Sequence, residues 1–123
     1  MPLEDYTKRV YVAFVDILGA ESSASGEIDT STATPPVVIL TPSSGKRIST
    51  RGVHIFSNSD AGEIEIRFQN SDVKVAKLYC GKRYHITLPE IHFLGQVDEP
   101  LVLDWDNLTS GAKIFYLIRY KEE

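Results

Sequence analysis

The chain has 123 residues, 42% of them hydrophobic and 24% charged, a composition that fits one soluble globular domain able to enclose a core without metals or disulfides. A net charge of −4 removes any general attraction for a phosphate backbone, and the single cysteine, Cys80, excludes an intrachain disulfide and a disulfide-framework secreted fold. No apolar stretch reaches transmembrane length, and the start Met1-Pro2-Leu3-Glu4 lacks a basic region followed by an apolar run, so folding in a reducing cytoplasm and no membrane partner are expected.

The first predicted strand runs from Arg9 to Ile17. Apolar residues point both ways there, with Tyr11, Ala13 and Val15 on one side, so both faces are expected to be covered, one by the core and the other by a partner or a returning segment. From 19 to 36 Ser, Thr, Gly, Ala and acidic residues dominate, closing on Pro35-Pro36. Such a stretch has little apolar area to offset the entropy of ordering, and it reads as a flexible loop or arm, long enough to pass over a surface or a neighbouring subunit.

Val37 to Leu40 is a short β-prone run closed by Thr41-Pro42-Ser43-Ser44-Gly45. The next strand covers Arg47 to Phe56, with Ile48, Val53 and Ile55 as core candidates and Gly52 marking a bulge or a close backbone approach. After a polar turn, Glu63 to Phe68 alternates with a period of two. Ile64, Ile66 and Phe68 take one side and Glu63, Glu65 and Arg67 the other, the pattern of a strand with one wet face.

Asn70-Ser71-Asp72 turns the chain into a hairpin partner, Val73 to Cys80, and Gly81-Lys82 turns it again into Tyr84 to Leu88. Pro89 stops that strand; Ile91 to Leu94 is a short edge strand or an extended loop, Leu101 to Leu103 a further strand, and Asp104 to Ala112 an exposed loop. The final strand, Lys113 to Lys121, sets Ile114, Tyr116, Ile118 and Tyr120 against Phe115, Leu117 and Arg119. Its apolar character on both sides marks a central strand or one that meets another subunit, and Tyr116, Ile118 and Tyr120 join Tyr11, Ala13 and Val15 as candidate interface residues. No segment from Lys46 to Lys121 carries an apolar period of 3.6. The expected fold is all-β, an antiparallel β-sandwich of jelly-roll type in a single domain.

Chemistry-bearing residues are sparse. His54, His85 and His92 have no neighbouring histidine or cysteine at metal-ligand spacing, and no metal or cofactor is assigned. Gly45-Lys46 has the ending of a phosphate loop, but Leu40 replaces the earlier glycine and Arg47 the magnesium-facing hydroxyl, so it reads as a turn. Asp98, Glu99, Asp104 and Asp106 form the main carboxylate-rich region and are expected to be solvated. Trp105 between Asp104 and Asp106 could stack on a sugar whose hydroxyls the acids bind, or could anchor the fold. Lys74, Lys77, Lys82, Arg83, Lys113 and Arg119, interspersed with tyrosines, could line a single-strand nucleic-acid groove; core and interface aromatics explain them with fewer assumptions. Cys80 reads as a buried structural thiol.

The segments Gly52-Val53-His54-Ile55-Phe56, Gly62-Glu63-Ile64-Glu65-Ile66, Val75-Ala76-Lys77-Leu78-Tyr79, Glu99-Pro100-Leu101-Val102-Leu103 and Phe115-Tyr116-Leu117-Ile118-Arg119-Tyr120 span Arg51 to Tyr120. Together they resemble small β-sandwich accessory and head-decoration proteins of tailed phages and related virus particles. The resemblance implies a non-enzymatic role, in which a subunit docks on a capsid-like assembly, stabilises it by spanning neighbouring proteins, and ends in a virion. Apolar residues on both sides of Arg9 to Ile17 and Lys113 to Lys121 motivate a homo-oligomer, with a trimer suggested by the resemblance and a dimer as the general alternative. A carbohydrate-binding module using Trp105, Asp104 and Asp106 is the principal alternative, followed by an enzyme with a loop-built carboxylate site.

Overall fold

The computed structural model describes residues 21–81 and 84–123. The predicted strand from Arg9 to Ile17, with Tyr11, Ala13 and Val15, lies outside the described residues, as do Lys82 and Arg83. Eight strands follow in chain order: β1 (Ser22–Asp29), β2 (Val37–Leu40), β3 (Ile48–Ser57), β4 (Glu63–Phe68), β5 (Lys74–Tyr79), β6 (His85–Leu88), β7 (Leu101–Asp106) and β8 (Lys113–Glu122). They form two four-stranded sheets, ordered β1-β8-β3-β6 and β2-β7-β4-β5, with every pairing antiparallel. The sheets share one core, which makes a jelly-roll-like sandwich.

Alternation in β4 organises the second sheet as its sequence predicts. Ile64, Ile66 and Phe68 are fully buried, and their cross-strand partners on β7 are Trp105, Leu103 and Leu101. In the first sheet β8 is central. Its Ile114 and Ile118 are fully buried, and Ile118 stands opposite Val53 of β3 on the core side. Gly52 does mark an irregularity, since the β3–β8 register shifts between Thr50 and Gly52, and the Arg119 guanidinium occupies the space a Cβ at Gly52 would need.

Three expectations are corrected. The stretch from 19 to 36, read as a flexible loop or arm, contains β1, which pairs with β8 over its whole length from Ser22 opposite Tyr120 to Asp29 opposite Lys113. Only Ile28 of β1 is a buried hydrophobic, so this strand is ordered by its ladder with β8 more than by its own apolar area. At Gly26 the missing Cβ leaves room for the Tyr116 hydroxyl. Second, Asp104, Trp105 and Asp106 belong to strand β7 and not to an exposed loop.

Third, Glu99 is fully buried where a solvated acid was expected. Its Oε2 accepts from the backbone N–H of Asn70 at 2.7 Å and from that of Ser71, while Oε1 accepts from the Gln96 N–H at 2.9 Å and the Ser71 hydroxyl at 3.1 Å. Burial opposes the charge, but the hydrogen bonds from Gln96, Ser71 and Asn70 outweigh it and hold the carboxyl below its ordinary value of 4.5. One carboxylate thus fastens the β4–β5 turn to the connection before β7.

The connection from Pro89 to Pro100 also runs beside the first half of β3. Ile91 N–H bonds to Arg51 O, Thr50 N–H to Phe93 O and Gly95 N–H to Ile48 O, each at 2.9 Å, and Ser49 bridges Leu94. These bonds satisfy backbone groups of β3 beyond the end of β6. Gly45, with φ of 79°, forms the turn read from the sequence, closed by the Lys46 N–H to Ser43 O bond at 2.9 Å.

Candidate functional site

Side chains that leave the core on the first sheet line up in rows across its outer face. One row, each residue opposite the next in register, is Glu27 of β1, Phe115 of β8, Phe56 of β3 and His85 of β6. The adjacent row is Ser25, Leu117, His54 and Thr87. Phe56 is 46% exposed and Phe115 37%, so two neighbouring aromatic rings stand on a pleated, hydrogen-bonded surface where polar residues would ordinarily be found.

His54 is fixed within this face. Its Nδ1 lies 2.7 Å from Thr87 Oγ1, and its ring meets Phe115 edge-on at 6.1 Å between centroids and His85 at 6.4 Å. At one side Lys113 Nζ approaches Glu27 at 3.9 Å. At the far end Arg119 lies over Gly52, donates to the Pro89 carbonyl, and pairs with Glu21 at 3.3 Å. The result is an apolar strip with a carboxylate at the β1 side and an imidazole at the β6 side.

The residues proposed from the sequence as an interface occupy the other side of β8. Ile118 is fully buried, and Tyr116 and Tyr120 are partly buried against the core. Both faces of β8 are apolar, and its sequence does not distinguish inside from outside; the registers with β1 and β3 do. Phe115 and Leu117 form the outward face.

Strand alternation turns Trp105 toward the core and its flanking carboxylates outward, yet the partly buried Trp105 still lines one open hollow with Asp104, Asp106, Glu63 and Glu65. Trp105 stands opposite Ile64 and packs against the core, whereas Asp104 and Asp106 stand opposite Glu65 and Glu63 on the outer face of the second sheet. Asp104 is held by Arg67, whose Nη1 donates at 2.8 Å. Arg67 also pairs with Glu65 at 3.4 Å and Asp72 at 3.2 Å; burial alone would lower its pKa, but Asp104 and the other acids raise it. Lys74 bridges Glu65 and Asp72, and Lys77 reaches Glu63 at 3.4 Å while lying 5.2 Å from the Tyr79 ring centroid. This face is a web of ion pairs.

The remaining candidates are dispersed. Lys74 and Lys77 lie on the second sheet and Lys113 and Arg119 on the first, so the cations do not share one groove. His92 Nε2 lies 2.9 Å from Ser49 Oγ, away from the His54–His85 pair. Among the described residues no group of three His, Cys, Asp or Glu side chains is placed to hold a metal ion. Cys80 is buried, and burial pushes its thiol pKa up. The sequence reading missed Phe56, Phe115 and Leu117 as a site; the signal available was that Phe56 and Phe115 fall out of phase with the core positions Ile55 and Ile114 of their strands.

No family model and no curated protein matches the sequence. Among solved structures, a chain in the acid-stable capsid structure of the Helicobacter pylori bacteriophage KHP30 is similar with a TM-score of 0.61 and 12% identity, over 83% of this chain and 87% of that one. At this identity the likeness is one of fold, and it agrees with the two-sheet, jelly-roll-like sandwich.

Proposed function

We propose that this protein is a non-enzymatic structural subunit that docks within a capsid-like protein assembly and stabilises it by spanning neighbouring proteins. The observation that carries the reading is the outer face of the first sheet, where Phe56 and Phe115 are exposed side by side on a rigid ladder. Exposed aromatic area of this kind is stabilised by covering it, and protein interfaces are enriched in such rings. The fold likeness to a chain in a phage capsid structure supports the same direction. Two of the acidic groups that an enzyme reading would recruit serve the fold: Asp104 is bound by Arg67, and Glu99 by three backbone amides and a hydroxyl.

The test follows the tagged protein through purification of virus-like particles from its native host, with electron cryo-microscopy of the product. The expected result is density of this chain repeated at junctions between shell or tail subunits, lost with Phe56→Ser/Phe115→Ser. Particles that assemble without the protein, or retention unaffected by that double substitution, would contradict the proposal.

A further inference from the structure

The row Glu27, Phe115, Phe56, His85 reads as its own complement. A two-fold axis parallel to the strands, between β8 and β3, exchanges β1 with β6 and β8 with β3 while leaving each row above itself. In that arrangement Phe115 of one copy meets Phe56 of the other, and Glu27 meets His85, twice over. The adjacent row behaves in the same way, with Leu117 meeting His54 and the Ser25 and Thr87 hydroxyls facing each other.

We infer that the outer face of the first sheet is a homodimer surface on which a second copy of this chain packs face to face. The placement of polar groups selects that occupant. A carboxylate at one end and an imidazole at the other, equidistant from a central aromatic pair, fit a copy turned by 180° and leave neither group buried alone. Glu27 and His85 are both exposed among the described residues, and Thr87 already fixes His54. Facing sheets of this kind pack with strands about 30° apart, which splays Arg119 and its partner Glu21 to the margin.

The size of the face sets the strength. Four strands at about 4.8 Å spacing and two rows at about 7 Å give about 270 Å² per copy, below the area of a standard stable interface. Association is therefore weak and concentration-dependent, with a dissociation constant on the order of 100 μM. The inference rests on the assembly reading only in taking this face as a protein contact; it names which partner the face takes.

Sedimentation equilibrium from about 5 μM to about 1 mM at pH 7 spans that range. The wild type is expected to move from monomer to dimer. His85→Glu sets two carboxylates against each other, Glu27→Lys removes the acceptor, and each should weaken the dimer by about ten-fold; the double swap should return it to within about three-fold of wild type. Phe115→Ser, which leaves Glu27 and His85 in place, should abolish the dimer. A wild type that stays monomeric or forms trimers overturns the inference, as does a double swap that melts like wild type yet fails to restore association. Incorporation into particles by a strictly monomeric protein removes this inference alone, whereas a dimer absent from particles removes the assembly reading alone.

Discussion

Replacing Glu99 by Gln keeps the shape of the side chain and removes the charge from a site where four donors converge on two oxygens. If the amide oxygen takes the Oε2 position, it retains the Asn70 and Ser71 N–H groups, but the amide nitrogen then faces the Gln96 N–H, donor against donor. One backbone bond is lost and the others lose charge assistance, a cost of about 2–3 kcal/mol, with Ser71 able to reverse its hydroxyl and accept. For a domain of this length that corresponds to a drop in melting temperature of about 10 °C. The pH dependence follows from the depressed carboxyl: the folded value lies below that of the unfolded chain, so the contribution is fully present above about pH 5 and fades as pH falls through the folded value. Urea unfolding of the wild type and Glu99→Gln at pH 7 and pH 3 should show the gap between them closing in acid. Equal stability at pH 7, or a gap of unchanged size at pH 3, would refute the assignment of Glu99 as a charged clamp.

Ile66→Asp, at a fully buried position, should cost more than about 4 kcal/mol or prevent folding, while Glu65→Gln on the outer face should cost about 1 kcal/mol or less; similar urea midpoints for the two would contradict the register of β4. Cys80 should react with a thiol-specific disulfide reagent far more slowly in the native protein than in urea, because the thiol is 2% exposed and its pKa is raised; rapid native labelling would show that β5 and its following turn open readily.

Strands whose own residues alternate are legible in this sequence. Glu63 to Phe68 fixes both its conformation and its buried side, because a slip of one residue would bury Glu63, Glu65 and Arg67. β1 is not legible, since Ser22 to Asp29 carries the composition of a loop and becomes a strand through its partner β8. The arrangement of the site is hidden for a related reason. Trp105 and its flanking acids look like one cluster in a loop, but they sit on a strand that turns the indole toward the core and the acids outward around one open hollow. Glu99 and Asp104 are equally acidic in the sequence, and only the fold brings three backbone amides to the first and Arg67 to the second. The apolar outer face of β8 is visible as a two-faced strand, but choosing its solvent side needs the registers with β1 and β3.

The position of β8 between β1 and β3 bears on how the chain is made. β1 has no other hydrogen-bonded neighbour among the described strands, so after it emerges from the ribosome it waits for some 80 residues of synthesis until Lys113–Glu122 is available. The β4–β5 hairpin, by contrast, joins segments separated by one short turn and can close early. During that interval the small hydroxylated residues of β1 keep the unpaired segment poorly suited to sticking to other nascent chains, a protection that a valine- or isoleucine-rich strand in the same place would lack.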